Sequence, residues 1–450
     1  VLLPTCSRHG EIPLKSSRYN VWIEEGCGSI LFNTLYGSIS AMEDGDRSQA
    51  TALLEGGAPT GKNRKLWEQL VAQKHLVADE TDELAIVRNR KLAGIRDSNT
   101  LNVILMPTLN CNFQCSYCYE VHRPSRMAKK VVGALKLWLE REIPQHKVTM
   151  LHWFGGEPLL EYETVLAISR HVKGVAGRCG TLAILHMTTN GYLLDVERAK
   201  ELIGAGLRDF QITLDGPQSK HDALRVLRSG NGTFERVFTN VCMLANTSRE
   251  VRITLRVNFN HTNLDSIPEL LEAFPPAIRS QLRVIFEPIF GKVTMSAVCN
   301  ISGSAISQQL AKHSELAKSL GYDVVFGLSA IHPGKLVYCY AEREHQYIVG
   351  HDGNVYKCSV CDFRATDRVG RLDATGIIHK DNAAWSSWVG GELFSSQCGS
   401  CKYLPLCMGG CRQTRKQANR SKECSLVATN ASYLLKQIAF GELREAFKQV

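Results

Sequence analysis

Ten of the sixteen cysteines in this 450-residue chain fall into two spaced sets. The first set lies in the run Pro107-Thr-Leu-Asn-Cys111-Asn-Phe-Gln-Cys115-Ser-Tyr-Cys118-Tyr-Glu120. The second is Cys339, Cys358, Cys398, Cys401, Cys407, Cys411 and Cys424, in the last quarter of the chain. Soft thiolates at such spacing are ligands for zinc or for iron–sulfur clusters. A loop with only three thiolates leaves one iron of a cubane cluster without a protein ligand. An open position is what separates a catalytic metal from a structural one. The same three cysteines would also suit part of a zinc site or a ferredoxin-type loop, so the motifs that follow them matter.

Those motifs sit on a repeating strand-then-helix pattern between residues 100 and 330. Apolar strand runs occur at Asn102–Met106, Val148–Phe154, Ala183–Thr188, Phe210–Leu214, Val251–Val257 and Leu282–Phe286. Helix-length segments such as Met127–Arg141, Tyr162–Val175, Val196–Ala205, Phe234–Ala245 and Leu264–Phe274 separate them. Alternating βα units imply a parallel sheet, open or curled into a partial barrel, with functional residues at the carboxyl ends of the strands. The three-cysteine loop follows the first strand, Gly155-Gly-Glu-Pro158 the second, Thr189-Asn-Gly191 the third and Asp215-Gly-Pro217 the fourth. Four motif loops therefore share one mouth.

Composition narrows the remaining classes. The content, 44% hydrophobic and 22% charged, is that of an ordinary globular chain with room for two or three domains. No apolar run approaches a membrane span, and Val1-Leu-Leu-Pro4 is too short for the core of an export signal. A cytoplasmic, reducing setting with cysteines used for metal is the expectation. The basic run Arg412, Arg415, Lys416, Arg420 and Lys422 lacks an aromatic stacking platform, so no nucleic-acid partner is expected. The formal charge of +9 leaves room for an acidic peptide partner.

Cys-x3-Cys-x2-Cys after a barrel strand, with Gly155-Gly-Glu-Pro158 and Thr189-Asn-Gly191 in order behind it, resembles the radical S-adenosylmethionine superfamily. The resemblance implies a partial (β/α)6 TIM-type barrel over residues 100–330 and a [4Fe-4S] cluster on Cys111, Cys115 and Cys118. S-adenosylmethionine would chelate the open iron and yield a 5′-deoxyadenosyl radical, with a flavodoxin or ferredoxin as electron donor. By the same resemblance Tyr117 contacts adenine, and Gly155 and Gly156 let backbone approach the cofactor. Glu157 pairs with the methionyl ammonium, Thr213 and Arg225 bind the cofactor, and Phe286 holds adenine through its backbone. Asp215 is read as a cap of its own Asp-Gly-Pro turn.

The tail, Cys339-x13-Gly353-x4-Cys358 followed by Cys398, Cys401, Cys407, Cys411 and Cys424, resembles the SPASM extension, which implies two auxiliary [4Fe-4S] clusters over residues 335–430. Cys398, Cys401, Cys407 and Cys424 would close one; Cys339, Cys358 and Cys411 would hold the other. Its fourth ligand is Cys361, His345 or none. Sulfatase-maturing members carry a cysteine where His345 stands and an aspartate where Ser359 stands. Such a segment has little core of its own and is expected to need metal to fold. Residues 18–95, strand-rich and then helical, resemble the winged-helix-like PqqD module that binds leader peptides by strand addition. Residues 431–450 read as a closing helix. The function implied is hydrogen abstraction from a ribosomally made precursor peptide, with a thioether cross-link favoured. Formylglycine formation is the alternative within the enzymes, and a non-catalytic iron–sulfur electron carrier is the alternative outside them.

Overall fold

Parallel strands buried on both faces normally read as continuous apolar runs. Those between residues 100 and 290 instead alternate, and a computed structural model shows why. It describes residues 13–25, 28–289, 303–325 and 334–416. Cys6, Cys27, Cys299, Cys424 and the expected closing helix lie outside the described residues. These residues divide into two compact units, one drawn from Val1–Gly94, Ala330–Cys339 and Glu392–Val450, the other from Ile95–Ser329 and Tyr340–Gly391.

In the first unit, β1 (Leu14–Ser16) precedes an antiparallel meander of β2 (Asn20–Glu25), β3 (Gly28–Asn33) and β4 (Ile39–Glu43). Helices α1 (Asp44–Leu54) and α2 (Arg64–Ala72) follow, then β5 (Leu76–Ala78), which pairs antiparallel with β1, and α3 (Glu83–Ile95). Leu31, Met42, Ala50, Leu53, Leu70 and Leu76 make one core cluster of this unit. A second joins Tyr19, Leu35 and Val87 to Phe394, Leu404 and Met408, with Cys398 and Cys401 packed against it. The fully buried Lys91 donates to the carbonyls of Leu393 and Met408 at 2.9 and 2.8 Å. A buried ammonium must be satisfied in this way. Two carbonyls and an apolar cluster thus hold the turn before Cys411.

The second unit is built on β6 (Thr100–Met106), β7 (Val148–Trp153), β8 (Leu182–Thr189), β9 (Leu207–Thr213), β10 (Arg252–Phe259) and β11 (Leu282–Pro288). All are parallel neighbours in sequence order, and β12 (Asp323–Val325) extends the row. Sequential order with intervening helices is the winding of a barrel rather than of a doubly wound sheet. Helices α4 (Lys129–Glu142), α5 (Tyr162–Cys179), α6 (Val196–Gly204), α7 (Gln218–Leu224), α8 (Phe234–Thr247) and α9 (Ile267–Ala273) supply the crossovers. Leu151, Trp153, Leu185, Met187, Phe210, Ile212, Ile253 and Leu255 are essentially inaccessible on one face of the strands. The opposite face carries His152, His186, Asp209 and Arg252, successive partners in the strand register. The alternation therefore separates an apolar face from a polar one.

Sequence periodicity fades after residue 335, yet the structure continues the same sheet. β13 (Gln346–Gly350) lies parallel beside β6, followed by antiparallel β14 (Asn354–Tyr356), β15 (Gly370–Leu372) and β16 (Ile378–Lys380). Ile348 and Tyr356 share a cluster with Ile104, Met106 and Leu109, so this stretch borrows the barrel's core instead of lacking one. The run Gln-Tyr-Ile-Val-Gly is too short for its period to be read. Ile348→Ala should cost about 3 kcal/mol, the usual scale for a buried aliphatic truncation. A urea titration followed by fluorescence should show that loss in one transition.

Candidate active site

The carboxyl ends of β6 to β11 surround a cavity of about 200 Å³. Cys111, Cys115 and Cys118 line it, with Tyr117, Tyr119, Glu120 and His122 from the same loop. Phe154, Gly155 and Gly156 enter from the end of β7, Thr188, Thr189 and Asn190 from β8, and Gln211 and Thr213 from β9. Arg225, Arg256, Asn258, Pro288 and Ile289 complete the wall. Apart from Arg225, which follows α7, residues far apart in sequence meet because they lie at or just beyond the same end of parallel strands.

The glycines are there for space. A Cβ on Gly156 would stand 2.2 Å from the Asn110 carbonyl oxygen, and one on Gly155 2.3 Å from that of Thr108. Gly155 also has φ of +113°, a region open to glycine. The Gly156 amide donates to Thr108 and the Glu157 amide to Asn110, at 3.2 and 2.9 Å. The end of β7 is thereby pressed directly against the cluster-binding loop.

Glu157 is fully buried and does not line the cavity. Its Oε1 accepts from the Leu159 amide at 2.9 Å and the Thr189 hydroxyl at 2.8 Å; Oε2 accepts from the Asn190 amide at 2.7 Å. Burial raises its pKa, and these three donors oppose that rise. The side chain expected to face a ligand ammonium is therefore engaged in joining the β7 and β8 loops. Asn190 in turn donates to Cys111 Sγ at 3.8 Å and to Asn112 Oδ1 at 2.8 Å.

The donor set suits an iron–sulfur cluster. Burial pushes the Cys111 thiol up to about 12 and Cys118 up to about 11, and raises Cys115 as well. Thiols so desolvated stay protonated near neutrality, and a cationic iron centre is the partner that would make them thiolates. The Phe113 amide points at Cys111 Sγ at 3.4 Å, a further donor for a cluster sulfur. Among the described residues no three His, Cys, Asp or Glu side chains converge on a single ion-sized point.

Thr213 and Arg225 are buried at the wall, and the Arg225 Nε has no hydrogen-bond partner. Tyr117 donates its hydroxyl proton to Asp215 Oδ2 and accepts from Arg225 Nη1 at 2.8 Å and Asn258 Nδ2 at 3.0 Å. Asp215, read from sequence as a turn cap, is fully buried and bonds the cluster loop and the Asn258 amide. Phe286 turns its ring toward His313, with centroids 6.3 Å apart, while Pro288 and Ile289 beyond it reach the cavity. Asn190, Arg256 and Asn258 went unnamed as site residues in the sequence. Only the Thr189-Asn-Gly191 motif hinted at the first, and no local signal marks the other two.

The remaining cysteines sit in both units. In the first, Cys407 is buried, and Cys339, Cys398, Cys401 and Cys411 are half-buried. A hydrogen bond from Cys339 pulls Cys411 below the usual thiol range. In the second, Cys358 is buried, and Cys361 is pushed up to about 12 by burial among Ile104, Met106 and Phe363. His345 packs edge-on against His146, with centroids 4.8 Å apart, and its Nδ1 is unpartnered. Ser359 exchanges a hydrogen bond with the Tyr340 hydroxyl at 2.7 Å.

Comparison with known proteins accords with this geometry. Residues 105–274 match the model of the Radical SAM superfamily. The chain is 23% identical over 350 residues to the PqqA peptide cyclase of Bradyrhizobium diazoefficiens, covering 72% of this chain and 86% of that one. It is 23% identical over 364 residues to a cysteine-type anaerobic sulfatase-maturating enzyme of Clostridium novyi, covering 70% and 89%. Among solved structures, anSMEcpe with bound AdoMet superposes with a TM-score of 0.59 at 20% identity, over 78% of this chain and 99% of that one. SuiB of Streptococcus suis, bound to its precursor peptide SuiA, gives 0.53 at 13% identity, over 90% and 97%. Residues 105–274 thus carry a radical SAM domain, and the chain is an enzyme. Among the described residues no helix is long and apolar enough to cross a membrane.

Two outcomes follow from the buried groups. Glu157→Gln replaces one acceptor oxygen by a donor amide that must face a donor, and should cost about 3 kcal/mol in urea unfolding. The half-buried His152 is held well below the ordinary 6.5, by desolvation and then by neighbouring His186. Its folded form resists a proton that the unfolded chain accepts. Stability should therefore fall as pH drops below about 6.5. His152→Asn should lose less between pH 7.5 and 5.5, read from urea midpoints.

Proposed function

We propose that this chain is a peptide maturase that abstracts a hydrogen atom from a ribosomally made precursor, with an intramolecular thioether as the favoured product. The observation that carries the reading is one cavity on which three thiols and a glycine pair with no room for side chains converge. Cys111, Cys115 and Cys118 would hold a [4Fe-4S] cluster with one iron open, and S-adenosylmethionine bound there supplies the 5′-deoxyadenosyl radical. Gly155 and Gly156 bring backbone to the cofactor, Tyr117 gives it an aromatic edge, and Arg225 and Thr213 offer donors to its polar end. The apolar residues Phe113, Phe154 and Ile289 help exclude water from the radical.

The likeness to a PqqA peptide cyclase and to a structure bound to a precursor peptide supports a peptide substrate. Cys339, Cys358, Cys361, Cys398, Cys401, Cys407, Cys411 and Cys424 would hold two auxiliary clusters that accept the electron released on cross-linking. The β2–β3–β4 meander leaves strand edges to which a leader could add. A second reading, conversion of cysteine or serine to formylglycine, draws on the likeness to a sulfatase-maturating enzyme. It needs a base where Ser359 stands, and a hydroxyl bonded to Tyr340 is a poor base near neutrality.

Anaerobically reconstituted, dithionite-reduced protein should release 5′-deoxyadenosine from S-adenosylmethionine, quantified by liquid chromatography. Release from Cys115→Ala should fall at least about a hundredfold, since losing one of three ligands removes the cluster rather than weakening it. Equal release from both proteins would sink the reading.

A further inference from the structure

The loop of Cys111–Cys118 is held from behind by the stretch between β9 and α8. The Gln114 amide donates to the Val226 carbonyl at 2.8 Å, the Ser116 amide to Leu224 at 3.0 Å, and the Arg228 amide to Asn112 at 3.0 Å. Phe113 and Leu227 form an antiparallel bridge at the centre of this ladder. The ladder is itself fixed by a closed circuit of hydrogen bonds. The Asp215 amide donates to His221 Nδ1 at 3.2 Å, and His221 Nε2 meets the Thr233 hydroxyl at 3.0 Å. The Thr233 hydroxyl donates to the Arg225 carbonyl at 2.7 Å, and Arg225 Nη1 donates to Tyr117, whose hydroxyl returns to Asp215.

The chemistry of each link fixes its direction. Because His221 Nδ1 accepts, the ring must be neutral with its proton on Nε2, which then donates to Thr233. Burial and neighbouring Arg225 both favour that neutral form. The phenol oxygen already accepts from two donors, so its single proton has one destination, the Asp215 carboxylate. Asp222 Oδ1 completes the frame by accepting the Thr233 and Phe234 amides at 2.7 and 2.9 Å, at the start of α8.

We propose that Asp215 and His221 are positioning residues: with Thr233, Arg225 and Tyr117 they close a ring that sets the cluster loop before any ligand arrives. The ring presents the Tyr117 and Arg225 side chains, both on the cavity wall, to S-adenosylmethionine, a statement that rests on the function proposed above. Without it, a loop offering three thiols would have to be ordered by the cluster itself. Asp215 carries the circuit because it alone joins the end of β9, the phenol and, through its amide, the imidazole.

Three measurements on the full chain test this. In cluster-free protein, hydrogen exchange of peptides spanning Gln114 and Ser116 should accelerate at least about tenfold in Asp215→Asn, whose amide points a third donor at the phenol oxygen. In reconstituted protein, bound iron should match the parent, while the Kd for S-adenosylmethionine rises about tenfold, equivalent to about 1.4 kcal/mol. Tyr117→Phe, which keeps the ring and removes the hydroxyl, should reproduce that rise, and the double variant should be no weaker than the worse single one. Unchanged exchange together with Kd values within twofold of the parent, or additive losses in the double variant, would overturn the proposal. Should Asp215→Asn fail to fold, Tyr117→Phe carries the same comparison alone. A parent that binds neither iron nor S-adenosylmethionine defeats the proposed function instead, and the exchange measurement still decides the ring.

Discussion

A carboxylate with no access to water determines how the loops of the barrel mouth fit together. Glu157 accepts the Leu159 amide, the Thr189 hydroxyl and the Asn190 amide, and its own amide reaches the Asn110 carbonyl. Burying an ion is tolerable only when its lone pairs are filled, so the three donors and the charge require one another. Through them β7 is tied to β8 and to the loop that follows β6. The contact of Gly155 and Gly156 with Thr108 and Asn110 is possible only in that arrangement. The positions of Asn190 beside Cys111, and of the glycine pair at the cavity wall, follow from it.

The polar face of the sheet answers to a different constraint. His152, His186, Asp209 and Arg252 occupy one row across four strands, and Arg252 holds Asp209 through two hydrogen bonds of 2.7 and 3.1 Å. Burial lowers the proton affinity of both imidazoles, and Asp209 partly opposes this at His186. His152 meets Thr188 at 2.9 Å, and Thr188 is part of the cavity wall. The row thus reaches the cavity wall through the His152–Thr188 contact.

Much of this was legible because it is local or periodic. The strands β6 to β11 and the motif loops behind them announce themselves by apolar runs ending in Cys-x3-Cys-x2-Cys, Gly-Gly-Glu-Pro or Thr-Asn-Gly. What escaped is what depends on partners distant in sequence. Asp215 looks like any aspartate before Gly-Pro until Tyr117 is brought to it across the barrel mouth. Asn258 and Arg256 sit on a strand whose pattern says only that they face inward. Glu157 reads as a ligand contact because a lone carboxylate in a glycine turn gives no sign of the donors that will surround it. β13 went unseen since five residues carry too little period to declare a strand, and its place beside β6 is a tertiary decision.

That placement of β13 governs how far the thiols of Cys358 and Cys361 stand from the barrel mouth. Cys358 and Cys361 follow β14, which is two strands removed from β6, and Cys361 packs in the same apolar cluster as Phe154 of the cavity wall. Neighbouring strands keep a spacing of about 4.8 Å through their hydrogen bonds. The separation between the two groups of thiols in this unit is therefore counted in strands, not left to the reach of a loop. A continuous sheet acts here as a ruler.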